Sequence, residues 1–360
     1  MNILVPNLGS TSFKYQFLEM PAETVLAQGR VERVTDYRAA IAALDTAGAP
    51  VDAVAFKVVH GGAHYRGTFH VDAEVLDALR RLLPAAPAHN AIYLTGIEAF
   101  QQAMPGVPTV AAFETAFHAT MPDHASLYGV PRRWLDEGEV RRYGFHGASH
   151  QFVAGAVPAM LGRPAPRLVS CHLGGSSSMC AIRDGRSVDT TMGFSPQSGL
   201  ENATRHGELD AFAVIYMQER FGMTPEAIRQ ELAGGGGLAG ISGIAGGDVR
   251  DLEATGTPEA AAALDVFAYQ VRKTIGAYGA AMGGIDAVAF TGGIGENAAG
   301  LRRRILEPLG FLGIALDKAN ETGAGDRLVS APDSKVAIVV LRTNEELIVA
   351  RRAWRLLSGG

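Results

Sequence analysis

The chain has 360 residues, of which 47% are hydrophobic and 19% are charged, and its formal net charge is −5. This length and composition predict two ordinary domains with substantial cores and exclude a disordered chain. The negative charge excludes nucleic acid as an obligate partner, because no basic excess is available to neutralise a phosphate backbone.

The cysteine count and the lengths of the apolar runs indicate the cellular compartment of the protein. Cys171 and Cys180 are the only cysteines, which excludes a disulfide framework and a metal finger. The first residues lack the basic and apolar regions of a signal peptide, and no apolar run is long enough to cross a bilayer. We therefore expect a reduced, cytoplasmic protein that does not contact a membrane.

Two similar hairpins are predicted, one at the start of the chain and one near its middle. Their paired strands are Ile3–Pro6 with Phe13–Phe17, and Leu168–Cys171 with Met179–Ile182. A polar turn at residues 7–12 joins the first pair, and a glycine- and serine-rich turn at residues 172–178 joins the second. One such turn is more often a connection than a phosphate-binding loop, but its recurrence predicts two duplicated halves with a ligand between them.

Strands and helices alternate through the rest of the chain. The further predicted strands are Ala53–Val59, Thr109–Phe113, Arg186–Thr191, Asp286–Thr291 and Val336–Leu341. The predicted helices are Ala73–Leu83, Leu209–Phe221, Ala260–Met282 and Glu345–Leu357. This alternation predicts α/β layers. The segment Gly234–Gly247 is interpreted as a glycine-rich linker or active-site loop.

A glycine-rich turn at Gly292–Asn297 follows a predicted strand and precedes a predicted helix, Ala298–Leu306. Glycines let backbone N–H groups approach a nucleotide, and a helix N-terminus favours negative charge. Gly293, Gly295 and Ala298 also match the dinucleotide pattern G-x-G-x-x-A. That match is weak, because no strand–helix–strand unit with an acidic residue for the ribose is evident.

The segment Arg142–His150 carries two histidines four residues apart. Zinc would need further ligands, and no Glu or Cys stands at a suitable spacing. We interpret His150 as a structural histidine. His146, which lies beside glycines and basic residues, is the better candidate to donate a hydrogen bond to an anionic group.

Arg205 lies close to a flexible glycine, Gly207, in the segment Thr204–Gly207. Its planar guanidinium could hold phosphoryl or carboxylate oxygens through two parallel bonds, and the sequence equally allows an ordinary surface arginine. Phosphoryl transfer requires cationic groups, a divalent metal and two oxygens held in line. Residues suited to that task are Asn7, Lys14, Lys57, His146, Arg205 and Glu345.

Taken together and in order, these motifs resemble the acetate kinase family. The matching stretches are Asn7–Tyr15, Val58–Gly62, Thr115–Pro122, Arg142–His150, Cys171–Gly174, Asp189–Pro196, Thr204-Arg205, Gly293–Asn297 and Thr343–Glu346. The resemblance implies two duplicated α/β domains of the acetate and sugar kinase, Hsp70 and actin superfamily, with a ribonuclease H-like fold, around a central cleft. The expected domains are residues 1–118 with 346–360, and residues 119–345.

The resemblance also implies the activity and its partners. We expect reversible phosphoryl transfer from ATP to acetate or a related small acid, which gives an acyl phosphate and ADP. Mg²⁺ or Mn²⁺ is the implied metal, held by Asn7 and Glu345. A homodimer is the implied assembly, and neither nucleic acid nor a membrane is an expected partner.

The same resemblance assigns roles to individual residues. Glu114, His146 and Arg205 are the implied catalytic residues. The implied acid-binding residues are Lys57, Val59, Ala88, Phe145 and Pro196. The implied nucleotide-binding residues are Lys14, His172, Leu173, Gly174, Gly175, Ser176, Asp248, Val249, Arg250, Gly293, Ile294, Gly295, Glu296 and Asn297.

Five residues depart from the family pattern. Lys57 replaces an arginine, and Glu114 replaces an aspartate. Ala88 replaces a leucine, which predicts room for propionate or a larger acid. Gly175-Ser176 replaces Asn-Gly beside the nucleotide. These changes leave two alternatives open, a nucleotide-binding sensor that has lost catalysis and a kinase with an altered acid or phosphoryl donor.

Overall fold

The structure, a computed structural model, describes residues 1–8, 12–32, 34, 37–83, 87–317, 319 and 321–359, and only the backbone of residues 87–89. The strands are β1 Asn2–Leu8, β2 Phe13–Glu19, β3 Thr24–Val31, β4 Ala53–Val58, β5 Thr68–His70, β6 Thr109–Phe113, β7 Arg167–His172, β8 Ser178–Arg183, β9 Arg186–Thr190, β10 Ala287–Thr291, β11 Arg327–Leu328 and β12 Ala337–Val340. Residues 9–11 of the turn predicted at residues 7–12 lie outside the described residues.

Helices alternate with these strands. They are α1 Tyr37–Ala42, α2 Ala73–Arg81, α3 Pro87–Ala103, α4 Asp123–Ser126, α5 Arg132–Asp136, α6 Gly147–Leu161, α7 Ala211–Phe221, α8 Pro225–Gln230, α9 Gly237–Ser242, α10 Val249–Thr255, α11 Pro258–Met282, α12 Gly292–Asn297, α13 Ala299–Leu306 and α14 Glu345–Leu357. Short 3₁₀ helices span Glu114–Thr120 and Glu307–Leu312, and a π-helical turn spans Glu231–Gly235. No described helix is both long and apolar enough to cross a membrane.

The chain forms two compact units. The first unit comprises Met1–Ala119, Val130–Phe152 and Asn344–Gly360, and the second comprises Thr120–Gly129 and Val153–Thr343. The division expected from the sequence differs mainly at residues 130–152, which it assigned to the second domain. Aromatic packing accounts for the difference, because the ring of His60 lies 4.7 Å from that of Tyr143 and 5.4 Å from that of Phe145.

The first unit is built on a six-stranded mixed sheet with the order β3-β2-β1-β4-β6-β5. Strands β1, β4 and β6 are parallel, and β2, β3 and β5 run antiparallel to their neighbours. Helix α14 covers one face, with Val349 and Ala353 packed among buried strand residues such as Val5 and Ala112. Burial alternates only along the first part of β2, whereas four successive residues of β1 are buried, as expected for a strand covered on both faces.

The second unit repeats the same plan. Its sheet has the order β11-β12-β10-β7-β8-β9, which is the first order read from the other edge. Strands β7, β10 and β12 are parallel, and the long helix α11 packs on them through Phe267 and Val271. The predicted duplicated α/β architecture is therefore confirmed.

Two glycine-rich segments differ from their predicted structure. Residues 234–247 are not only a loop, since they contain helix α9, which is held by hydrogen bonds from Leu238 N to Asn202 O and from Ala239 N to Ala203 O, both 2.9 Å. The turn predicted at Gly292–Asn297 is the short helix α12. Glycine has low intrinsic helix propensity, so these helices depend on contacts that the local sequence does not reveal.

Candidate active site

A cluster of charged side chains lies where the parallel strands of the first unit end. Lys57, near the end of β4, forms a close ion pair through Nζ with the Oε2 atom of Glu345, the first residue of α14. Burial alone would lower the pKa of Lys57, but the carboxylates of Glu345 and Glu114 outweigh it and raise that pKa well above its usual range. Lys57 is therefore a charged cation at neutral pH.

Glu114 belongs to the same cluster. It follows β6 directly, is 3% exposed, and its Oε1 atom accepts a hydrogen bond of 3.4 Å from the backbone N–H of Ala148. Burial raises the pKa of Glu114 to about 7, and the nearby positive charge of Lys57 opposes that rise. A carboxyl group with such a pKa can carry or release a proton near neutral pH.

Asn7 and Glu346 contribute oxygen atoms at the edge of this cluster. The Nδ2 atom of Asn7, in β1, donates a hydrogen bond of 3.0 Å to Oε1 of Glu346. With Glu345, these residues offer amide and carboxylate oxygens, the ligand types that Mg²⁺ prefers. Among the residues described, no group of three or more His, Cys, Asp or Glu side chains is arranged to hold a metal ion.

Two of the predicted acid-binding residues of the first unit, Val59 and Phe145, are buried, and Phe145 packs against an aromatic ring. Val59 is 9% exposed and Phe145 is 2% exposed, and His60 packs edge-on against Phe145. Ala88 lies in α3, but its side chain is outside what the structure describes. The fifth predicted residue, Pro196, is buried in the second unit.

His146 has an uncommon backbone conformation. Its φ of +55° lies in the left-handed region, which side-chain-bearing residues seldom adopt and which is often found at functional sites. The preceding residue is fixed by His118, whose Nε2 atom lies 3.0 Å from the carbonyl oxygen of Phe145. Burial lowers the pKa of His118 to about 4, so this imidazole is neutral at physiological pH.

In the second unit, the turn after β7 is joined to helix α12, which follows β10. The carbonyl oxygen of Leu173 accepts hydrogen bonds from Ile294 N at 2.9 Å and Gly295 N at 3.0 Å. Gly292 has a φ of +77°, and a Cβ atom there would lie 2.6 Å from the same carbonyl oxygen. Only glycine allows this close approach without strain.

A cavity of about 430 Å³ opens beside this turn and α12. Its lining residues are Gly174, Gly175, Asp248, Val249, Arg250, Glu253, Gly293, Ile294, Asn297 and Ala298. Members of all three predicted nucleotide-binding segments thus meet around one cavity. The sequence prediction omitted Glu253 and Ala298, which extend two of those segments.

Several predicted polar side chains in this region bond to one another. Asp248 caps helix α10 and accepts hydrogen bonds from the side chain of Arg250 at 2.6 and 3.0 Å, which lowers the pKa of Asp248 to about 2. Glu296 accepts a bond from Gly292 N, and Asn297 donates one to Gly293 O. These bonds hold the shape of the cavity wall.

Arg205 is not an isolated surface residue. Its Nη1 atom donates hydrogen bonds to the Ser176 hydroxyl at 2.9 Å and to the carbonyl oxygen of Pro196 at 3.3 Å. Its guanidinium is partly buried, and the loss of hydration lowers its pKa below the usual value. The structure therefore groups three predicted site residues, Arg205, Ser176 and Pro196.

The remaining predicted residues fall into both units. His172 is the last residue of β7, and Leu173 follows it and bonds to α12 beside the cavity. Lys14 is exposed in β2 of the first unit, where it is the cross-strand partner of Asn7, whereas the cavity is lined by second-unit residues. His118 and Glu346 were not predicted, although both lie inside motifs that the sequence analysis had singled out.

The fold and these sites are those of a two-part α/β phosphotransferase. The model of the Acetokinase family matches residues 39–351. The chain is 41% identical to an acetate kinase of Caldanaerobacter subterraneus and to a propionate kinase of Citrobacter rodentium, with 100% and 98% of this chain and 100% and 96% of those proteins covered. The chain belongs to the acetokinase family.

Solved structures of family members have the same fold as this chain. An acetate kinase of Porphyromonas gingivalis is 32% identical and has a TM-score of 0.88 over 99% of both chains. A propionate kinase of Francisella tularensis is 31% identical and has a TM-score of 0.90 over 98% of both chains. The family resemblance found in the sequence and the phosphotransferase class are confirmed.

Proposed function

We propose that this protein is a short-chain carboxylate kinase that moves the γ-phosphoryl group of ATP to acetate or propionate, and reverses the reaction. The cavity beside Gly174 and Gly293 carries the proposal, because its glycine-rich walls allow a nucleotide to approach the backbone closely. Relatives named for both acids support the acceptor class. The cationic residues Lys57 and Arg205 suit an anionic acid and a phosphoryl group.

The proposed reaction is a direct displacement. A carboxylate oxygen of the acid forms a bond to the γ-phosphorus while the bond to the bridging β-phosphate oxygen breaks, and ADP leaves. No proton must move, so the protein has to position the reactants and stabilise charge. We assign Lys57 to the acid, His146 and Arg205 to the phosphoryl oxygens, and Glu114 to orientation of the acid or metal.

Asn7 and Glu345 would hold Mg²⁺ or Mn²⁺ in this proposal. Their oxygen donors fit such an ion, which usually retains several waters and is bound through one or two carboxylates and substrate phosphates. When bound, the metal would supply positive charge next to the phosphates. Glu345 forms an ion pair with Lys57, so the metal and the acid would be bound by neighbouring side chains.

The test is to trap acyl phosphate as its hydroxamate and to measure initial rates with acetate, propionate, butyrate and longer acids. Each acid is tested with ATP and with pyrophosphate. ATP-dependent product with acetate or propionate supports the proposal, and comparable rates for longer acids support the effect predicted for Ala88. Product only with pyrophosphate would indicate an altered donor. Nucleotide binding without product from any acid would indicate the sensor alternative.

We also propose that the protein forms a homodimer through one face of helix α7. None of the eleven residues of this helix is buried, and Phe212 and Tyr216 are 74% and 58% exposed. Asp210 precedes the helix, and Arg220 lies near its end beside Glu219, so two antiparallel copies would bring Arg220 of each chain toward Asp210 of the other. A two-fold interface of this kind would cover the aromatic side chains.

Light scattering after gel filtration tests this assembly. We expect wild type at twice the mass of one chain and Phe212→Glu at the mass of a monomer. Phe311→Glu is the matched control, since Phe311 is 80% exposed on the short helix Glu307–Leu312 and should not affect assembly. A wild-type monomer, or a dimeric Phe212→Glu variant, would contradict the proposal.

A further inference from the structure

One face of helix α14 holds two residues that point toward the charged cluster of the first unit. Glu345 and Arg352 are seven residues apart, which is about two helical turns, so they lie on the same side of the helix. Glu345 forms the ion pair with Lys57. Arg352 is not part of any site predicted from the sequence. It contacts residues on either side of Glu114.

Arg352 bonds to both elements that hold Glu114. Its Nη1 atom donates a hydrogen bond of 3.0 Å to the carbonyl oxygen of Phe113, the residue immediately before Glu114. Its Nε atom donates one of 2.7 Å to Oε1 of Gln151, and Nη2 bonds to the same oxygen. Gln151 lies in the first turns of α6, three residues after Ala148, whose N–H is bonded to the Glu114 carboxyl group.

The two elements meet closely at this point. A Cβ atom on Gly147 would lie only 2.0 Å from the backbone oxygen of Glu114, so the start of α6 rests directly on that residue. Arg352 therefore connects β6 and α6 beside their closest approach. A rigid, planar guanidinium can hold two such acceptors in fixed geometry, which a flexible ammonium group does not.

Charge adds to this geometric role. Burial lowers the pKa of Arg352 to about 10, and the charge of Glu114 partly offsets that decrease. Arg352 thus remains cationic at neutral pH, beside a buried carboxyl group. Its charge favours the ionised form of Glu114 without any contact with a substrate.

We propose that Arg352 is a positioning residue for Glu114, which it holds through Phe113 and Gln151. This inference rests on the proposed kinase function. It predicts that loss of Arg352 changes kcat and the KM for the acid. Nucleotide binding should be unchanged, because residues of the second unit line the nucleotide cavity. Misplacement of a reacting group by about 1 Å can cost about 100-fold in rate.

The test compares two neighbouring arginines of one helix. Arg351 also makes two bonds, at 2.6 and 2.7 Å, but to Glu23 and away from Glu114. We expect Arg352→Met to lower kcat by about 30-fold with KM for ATP within about twofold of wild type. Arg352→Lys should recover part of this loss, and Arg351→Met should leave kcat within about twofold.

Stability measurements separate positioning from folding. Rates are corrected for the folded fraction, which is measured by urea unfolding of each variant. Equal kcat values for Arg352→Met and Arg351→Met would overturn the inference. If Arg352→Met does not fold, Gln151→Leu removes one of the two anchors and should lower kcat by about fivefold, and an unchanged kcat would overturn it as well. A wild-type enzyme that forms no acyl phosphate would instead refute the proposed function and this inference together.

Discussion

The two sheets share one strand order, but the residues that follow equivalent strands differ in kind. In the first unit, β4 and β6 end beside the charged side chains Lys57 and Glu114. In the second unit, β10 is followed directly by Gly292, and the groups presented there are backbone atoms. A duplicated fold thus determines where ligands can bind, at the carboxyl ends of its parallel strands, and local sequence determines the chemistry.

Arg205 is the exception in the second unit, and its loss should have the largest effect. Because it is the guanidinium assigned to the phosphoryl group, Arg205→Ala should lower kcat by about 10³-fold. Nucleotide affinity should change less than about threefold, since Arg205 does not line the cavity. Steady-state kinetics and calorimetric binding of ADP measure the two effects. Arg229→Ala, on the exposed part of α8, is the control, and a kcat near that of the control would contradict the role.

The backbone character of the second site can be tested with two adjacent glycines. Gly292→Ala would place a Cβ 2.6 Å from the Leu173 carbonyl oxygen at a φ of +77°, and should lower the free energy of unfolding by about 3 kcal/mol. A Cβ atom on Gly293 would have no neighbouring atom within 4 Å, so Gly293→Ala should have the same free energy of unfolding as wild type. Because Gly293 lines the cavity, the same variant should bind ADP more weakly. Urea unfolding and calorimetry distinguish the two. Equal stability of the variants would show that the close approach at Leu173 is unimportant.

The side-chain character of the first site predicts a pH dependence. Because burial raises the pKa of Glu114 from 4.5 to about 7, the folded chain retains this proton at pH values where the unfolded chain has lost it. The stabilising contribution of the group is therefore present at low pH and decreases as pH rises from about 4.5 to about 7. As pH rises from about 5 to about 8, the free energy of unfolding of Glu114→Gln should therefore increase by about 2 kcal/mol relative to that of wild type. Urea unfolding of both proteins without metal or nucleotide gives this difference, and a pH-independent difference would contradict it.

The smallest expected effect concerns the paired departures at positions 57 and 114. We expect Lys57→Arg and Glu114→Asp to compensate each other, because both side chains belong to one buried cluster. The double variant should be more active than the two single effects predict, with a coupling of about 1 kcal/mol in kcat/KM. Strict additivity in the double-mutant cycle would exclude compensation.

The periodicity of apolar residues along the chain was sufficient to predict many of the strands and helices. Strand β6 and helix α14 have the bounds that the sequence predicted, and the other predicted strands and helices differ by one or two residues at an end, whereas helices such as α3 and α6 were not predicted. Period-two and period-3.6 patterns are properties of neighbouring residues, so they are readable without a structure. Glycine-rich segments such as Gly237–Ser242 were misjudged because their helical form depends on hydrogen bonds to Asn202 and Ala203.

By itself, the sequence determined the duplicated α/β architecture, the family and the identity of the residues proposed to act. Only the tertiary structure decided how those residues are paired. The ion pair of Lys57 with Glu345 joins residues 288 positions apart, and Arg352 reaches Phe113 across 239. Their charges and pKa values depend on burial and on distant neighbours, which arise only when the sheet and α14 have packed together.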